Sequence, residues 1–380
     1  MRKSLLALVA AGLLTTATLT ACDDGGDTAE TGSESATTSN GGSEITGDAG
    51  IGVILPDTKS SARWSTADPA YLQAAFKAAN VPAQIVNAEG DKERFKQLAD
   101  NLLTNGAKVL IIANLDAASG KAVIDNAKSR NVPVIDYDRL TLNGTADYYV
   151  SFDNEKVGEL QAKALQKCLA DSPTAPATPV IAELNGSPTD NNAYLFKDGY
   201  DGVLNTLYDN GTFSKGPDQF VPEWDNDEGR EMFALMLKQY PNIGGVLAAN
   251  DGLGNAAIEV LKEKGMNGRV PVTGQDATVE GLQNVLAGDQ CVTIFKDVKL
   301  EANAAADLAV KLYKNNTVKV PVADKLKDPE SGLYIPFVKL KPEAITKDNV
   351  KSVVENGFVD ANTLCTAKFK AACKAAKIIQ

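Results

Sequence analysis

From residue 51 onward, apolar runs of four or five residues alternate with stretches whose apolar side chains recur at helical spacing, one pair roughly every 25 residues. Strands this short and this continuously apolar are buried on both faces, which requires helices above and below a largely parallel sheet. The first series predicts strands at Ile51–Leu55, 84–86, Val109–Ile112, 132–135 and Tyr148–Phe152. Helices are expected from Asp68-Pro69, read as an N-cap followed by proline at the first helical position, across 92–103 with Gly106 as its stop, and across 117–130. A second series, 180–184, 220–224, 246–249, 270–273 and 292–295, repeats the grammar. Two such series predict an α/β protein of two doubly wound, Rossmann-like lobes.

How these strands end is as informative as how they begin. The run Val132-Pro-Val-Ile-Asp-Tyr-Asp-Arg139 turns from apolar to charged within a few residues. In open α/β sheets ligands bind in the crevice beyond the carboxyl ends of the strands, so Asp138 and Arg139 are candidate contacts. A surface salt bridge is the plainer alternative for any one such pair. Yet the first strand leads to Arg63 and Trp64, the 180–184 strand to Asp190-Asn191-Asn192, and the 220–224 strand to Trp224. The remaining three lead to Asn250-Asp251, Gln275-Asp276 and Lys296. Carboxylates that accept, cations that donate and amides that do both suit sugar hydroxyls, and indole planes suit the C–H faces of a pyranose. Replacing Asp138 by Ala is expected to destroy binding and to leave stability almost unchanged, as for a carboxylate in a wet cleft.

Composition closes other classes. The chain has no histidine, which removes Ser-His-Asp and Cys-His catalysis and His-bearing zinc sites. No Gly-x-Gly-x-x-Gly follows the first strand and no Walker loop is present, so neither an enzyme nor a cofactor is expected. A formal charge of −11 without basic clusters argues against nucleic acid. Asp225-Asn-Asp-Glu228 lacks the alternating ligands of a calcium loop and is expected to cap the next helix, so no metal is predicted.

At the start, Arg2-Lys3 precedes a short apolar stretch ending in Leu19-Thr-Ala-Cys22. This resembles a bacterial lipoprotein signal, in which residues 1–21 are removed and Cys22 is lipidated. Residues 22–49 carry almost no large apolar side chains and read as a flexible tether. The expected location is the outer face of the cytoplasmic membrane, or the periplasm, with the membrane reached only through the lipid. Cys168, Cys291, Cys365 and Cys373 allow three disulfide pairings, and one bridge is expected to pin the tail after Phe358.

The segments Tyr137-Asp-Arg139, Ser151-Phe-Asp-Asn-Glu-Lys-Val-Gly-Glu-Leu-Gln-Ala-Lys163 and Ser187-Pro-Thr-Asp-Asn-Asn192 carry a specific resemblance, joined by Asn250-Asp251, Thr273-Gly-Gln-Asp-Ala277 and Thr293-Ile-Phe-Lys296. From Ile51 to about Phe358 the chain resembles type I periplasmic binding proteins of ABC sugar importers, nearest to D-xylose-binding proteins. The resemblance implies a pyranose held by the equivalents of Arg63, Trp64, Asp138, Arg139, Asn191, Trp224, Asn250, Asp276 and Lys296, with Asp190 and Phe196 beside them. It implies a monomer that delivers D-xylose, D-glucose or a related aldose to a permease. It also implies three hinge crossings near Asp153, Lys296 and Pro336. The lobes would then be 50–152 with 297–335 and 153–296 with 336–364, followed by a tail at 365–380. The first loop, from Leu55 to Trp64, keeps only Arg and Trp of the family pattern. Two other readings stay open: a receptor that presents sugar to a sensor, and a glycosidase using Asp138 and Asp276.

Overall fold

Strands β1 (Ile51–Leu55), β2 (Ala83–Asn87), β3 (Val109–Ile112), β4 (Val134–Tyr137) and β5 (Tyr148–Phe152) alternate with α1 (Ala67–Ala78), α2 (Lys92–Thr104) and α3 (Ala117–Ser129) in a computed structural model that describes residues 49–315 and 319–380. The export signal, Cys22 and the tether expected from sequence lie outside the described residues, apart from the tether's last position. Every residue of β1, β3, β4 and β5 is buried, as expected of strands covered on both faces; this includes Ser151 in β5 and Asp136 in β4, whose carboxylate accepts from the Thr141 N–H and hydroxyl. Helices begin where a short polar side chain satisfies the first free N–H groups: Asp91 accepts from Glu93 and Arg94, and Asp116 accepts from Ser119.

Helix α1 departs from expectation. It starts at Ala67 after a 3₁₀ turn at Ala62–Ser65, and its N-cap is Thr66. Asp68 lies inside the helix, fully buried, and its carboxylate takes both a two-pronged contact from Arg63 (2.8 and 2.7 Å) and the Tyr137 hydroxyl (2.6 Å). The Asp-Pro signal was that of a cap, but a buried guanidinium outbid the helix terminus for the carboxylate.

The second lobe comprises α4 (Asn154–Asp171), β6 (Val180–Asn185), α5 (Asn191–Asp209), β7 (Ser214–Phe220), α6 (Asn226–Gln239), β8 (Ile243–Ala248), α7 (Asp251–Glu263), α8 (Val279–Ala287) and β9 (Thr293–Phe295). Asp225 caps α6 as expected, accepting from Asp227 and Glu228. The expected strand at 220–224 is instead β7, which ends at Phe220; Trp224 sits in a 3₁₀ turn beyond it. The expected strand at 270–273 makes only a single bridge, Val246 to Val272, and a second, Gln275 to Ile294, follows it, so β8 and β9 are linked without a ladder. Helices α4 and α5 approach so closely that a Cβ on Gly158 would lie 1.9 Å from the Phe196 carbonyl oxygen, and one on Gly199 would lie 2.0 Å from that of Glu155. Only glycine permits this contact, which brings Phe196 to the crevice.

The chain then returns. Helix α9 (Val298–Lys314) packs on α1 in the first lobe, and β10 (Asp324–Lys327) and β11 (Tyr334–Leu340) complete its sheet in the order β10-β11-β5-β4-β3-β1-β2. Strand β12 (Glu343–Ile345) pairs with β9 in the second lobe. The third crossing therefore falls after Leu340 and not at Pro336, because β11 runs parallel to β5 up to the pair Leu340 with Phe152. Pro336 is tolerated inside β11, opposite Lys325 of the short edge strand β10.

Three short helices, α10 (Lys351–Glu355), α11 (Ala361–Leu364) and α12 (Lys370–Ala375), end the chain against α8. Cys365 pairs with Cys373, so the tail is stapled to itself; burial of Leu364, Phe369 and Cys373 against Leu282 and Leu286 holds it to the body. The other bridge, Cys168 to Cys291, ties the end of α4 to the segment before β9.

Candidate functional site

The carboxyl ends of the strands of both lobes face one another across the crossings, and a pocket of about 320 Å³ lies between them. Ten of the eleven expected residues line it: Arg63, Trp64, Asp138 and Arg139 from the first lobe, Asp190, Phe196, Trp224, Asn250, Asp276 and Lys296 from the second lobe and its return crossing. Asn191 does not. It occupies the first position of α5, and the helix turn that follows brings Asn192 to the pocket in its place. Ser60 and Ser61 also line it and were not expected, and so does Gln275, a strand-end residue that was not counted among the contacts. Gln275 precedes Asp276 at a strand end, so the same signal reached both; the two serines belong to the loop that departs from the family pattern.

Asp138 is the centre of the charge distribution. It follows β4 in a left-handed conformation (φ +62°), and Asp276 does likewise on the other lobe (φ +95°). Such backbone is costly for a side-chain-bearing residue and is found where surrounding contacts fix it. Those contacts are present: the Asp138 carbonyl oxygen accepts from the Tyr149 hydroxyl (2.8 Å), the Ser151 hydroxyl (3.0 Å) and Asn192 Nδ2 (2.9 Å). Its carboxylate receives Arg63 Nη1 at 2.9 Å and Lys296 Nζ at 3.1 Å. Burial alone would raise its pKa, but Lys296, Arg63 and Arg139 together hold it down to about 2. With 3% of its surface exposed, Asp138 is no wet strand-end carboxylate, and the expectation that its removal leaves stability unchanged does not survive.

Arg63 donates most of its guanidinium to protein carboxylates: Asp68, Asp138 and Glu301 of α9, the last at 2.5 Å. Burial opposes its charge, yet these acids raise its pKa further. Glu301 in turn is pushed up to about 8, chiefly by burial and against the pull of Arg63. Arg63 also lies 4.3 Å over the Trp64 ring, so it anchors that indole as much as it faces the pocket.

Helix caps supply the second wall. Asp190 caps α5 through Asn192 N–H, leaving its other oxygen for Trp224 Nε1 (3.2 Å) and Arg139 Nε (3.2 Å). Asn250 caps α7 through Leu253 N–H, which leaves its Nδ2 group facing the first loop and 3.4 Å from the Ser60 carbonyl oxygen. Ser61 Oγ reaches Asp276 at 3.0 Å, so the lobes touch at the first loop. Behind this wall Gln161 of α4 donates to the carbonyls of Ala248, Ala249 and Gly274, fixing two strand ends with one amide. Three polar atoms of pocket-lining side chains, Trp64 Nε1, Arg139 Nε and Gln275 Oε1, are buried with no protein hydrogen-bond partner; Arg139 Nε is ion-paired with Asp190, which leaves Trp64 Nε1 and Gln275 Oε1. A donor and an acceptor held ready in this way suit a ligand carrying hydroxyl groups.

Comparison with known proteins agrees with this geometry. A family model described as periplasmic binding protein domain matches residues 51–317. The D-xylose-binding periplasmic protein of Escherichia coli (strain K12) is 33% identical over 314 residues, covering 81% of this chain and 90% of that protein. The multiple sugar-binding periplasmic receptor ChvE of Rhizobium radiobacter is 33% identical over 331 residues, 83% of this chain and 92% of that protein. Among solved structures, a carbohydrate transporter solute-binding protein from Chloroflexus aurantiacus in complex with D-glucose superposes with a TM-score of 0.73 at 26% identity, covering 82% of this chain and 97% of its own.

Proposed function

Since the chain belongs to the periplasmic binding proteins that serve ABC sugar importers, a family without catalytic activity, we propose that it captures one aldopyranose, D-xylose or D-glucose, between its lobes and delivers it to an importer permease. The observation that carries this reading is the pairing of Trp64 and Trp224 with alternating acids and bases in one interlobe pocket. Asp138 and Asp276 accept from sugar hydroxyls, while Arg139, Lys296 and the Asn250 amide donate. Trp64 Nε1 and Gln275 Oε1 meet the remaining hydroxyl positions, and the two indoles with Phe196 cover the C–H faces. Arg63, largely consumed by its carboxylates, positions Trp64 and Asp138. In this reading Cys22 carries a lipid that keeps the receptor at the outer face of the membrane.

Calorimetry with a panel of aldoses tests the proposal. A pentose has about ten non-hydrogen atoms, and the ceiling of about 1.5 kcal/mol per atom for the best small ligands leaves ample room for micromolar binding at about 8 kcal/mol. Heat with D-xylose or D-glucose at that level supports it; no heat with any aldose sinks it. Cys22→Ser should release the protein from the membrane fraction without altering sugar binding.

A further inference from the structure

A second cavity, of about 930 Å³ with its share of open solvent against about 320 Å³ for the sugar pocket by the same measure, adjoins that pocket. Ser60, Arg139, Asp190 and Trp224 line both spaces, so the two are consecutive chambers along one path. The outer chamber is the roomier of the two, large enough for a further sugar ring. Its walls come from both lobes: Asp57, Thr58 and Glu89 on one side, Ser187, Thr189 and Glu223 on the other.

The wall between the chambers is strained. Glu223 and Trp224 are consecutive left-handed residues, φ +52° and +58°, with no glycine to relieve either. Conformations of this kind cost about 1 to 3 kcal/mol each and persist where the surrounding structure dictates them. Here the strain turns the Trp224 ring onto Gly186, where a Cβ would lie 2.0 Å from the indole, and the Glu223 N–H is fixed by Ser187 Oγ at 3.1 Å. One indole is thereby shared by both chambers. The first loop is equally set: Asp57 accepts from the backbone of Lys59 and Ser60 and from the Ser60 hydroxyl, at 2.7 to 2.8 Å, and Ser60 Oγ accepts from Arg139 at 3.1 Å.

From the continuity of the chambers, the shared indole and the polar lining we infer that the outer chamber is a second glycosyl subsite, and that the receptor takes a neutral disaccharide as well as the free monosaccharide. The inference rests on the sugar reading of the inner pocket. The chemistry of the outer lining selects the class. Leu115 and Trp224 are its only large apolar residues, so an aromatic or aliphatic aglycone finds little to cover it, whereas hydroxyls meet acceptors and donors throughout. Five carboxylates against three cations disfavour a phosphate or carboxylate on the second ring.

The test compares D-xylose with xylobiose, and D-glucose with cellobiose, by calorimetry on the wild-type protein and on Thr189→Trp and Thr58→Trp, two substitutions that fill the outer chamber from opposite lobes. The expected result is that at least one disaccharide binds within tenfold of its monosaccharide, and that both variants weaken the disaccharide at least tenfold while the monosaccharide stays within about twofold. Circular dichroism and melting temperature show that the variants are folded. Monosaccharide binding with every disaccharide excluded overturns the subsite and leaves the sugar reading standing. Equal loss for both ligands in both folded variants also overturns it. Silence toward all four sugars overturns the sugar reading and the subsite with it.

Discussion

At the scale of single residues, the site is a set of buried charges that constrain one another. Asp138→Ala would strand Arg63 and Lys296 without their shared carboxylate. Removing one partner of a buried pair costs about 3 to 5 kcal/mol, so the variant should lose both sugar binding and stability, read by calorimetry and by chemical denaturation. Asp138→Asn, which keeps an acceptor oxygen, should keep more stability than binding. The buried carboxyls also set a pH dependence. Asp136 and Asp251 are pushed up to about 7 by burial, and Glu301 to about 8. Their protonated forms belong to the folded state, so their contribution is complete below the unfolded value of about 4 and is lost as pH rises through 7 to 8. Asp138, held at about 2, keeps its contribution until the medium is far more acid. The thermal midpoint should therefore be higher near pH 5.5 than near pH 8.5, by about a few degrees; the reverse order would mean that these three carboxyls are ionised in the fold.

At the scale of elements, apolar periodicity located the strands of the first lobe, with β1, β3 and β5 matched residue for residue, because strands buried on both faces leave no other pattern. It misplaced β7, whose alternating exposure and internal Gly216-Pro217 make it an edge strand with weak apolar signal. Strand ends pointed to the pocket since caps and ligand contacts draw on the same short polar side chains; that overlap also explains why Asn191 was chosen over Asn192, one helical position apart. Asp68 could not be read, because no local pattern marks Arg63, five residues before it, as buried, and its other partner Tyr137 lies 69 residues away. Two elements carry predictions of their own. Glu223→Gly should relieve the left-handed strain and raise stability by about 0.5 to 1 kcal/mol in denaturant melts. In the chain-entropy account the bridge spanning 123 residues contributes roughly 5 kcal/mol and the one spanning 8 roughly 2.5 kcal/mol. The variant carrying both Cys168→Ser and Cys291→Ser should thus melt well below the one carrying both Cys365→Ser and Cys373→Ser.

At the scale of the whole molecule, two lobes joined by three adjacent crossings can rotate about that line as rigid bodies. Trp64 and Trp224 are the only tryptophans and line the same pocket from opposite lobes. Adding D-xylose or D-glucose should accordingly shift intrinsic emission saturably and reduce the radius of gyration if the free form is open, whereas an amino acid should do neither. Emission silent to every aldose that gives calorimetric heat would take the indoles out of the site. The crossings have another consequence, for the order in which the protein can be made. The first lobe's sheet is finished by β11, which ends at residue 340 of 380, after the whole β6 to β9 series has been synthesised. Neither lobe is a contiguous stretch, so neither can close while the chain is still emerging; long-range pairing of this kind is slow to form and leaves apolar strands uncovered meanwhile. A growing chain would stay unfolded until about nine-tenths of it had left the ribosome, and in that state it is threadable, a property that a protein folding one lobe at a time would lose midway through its synthesis.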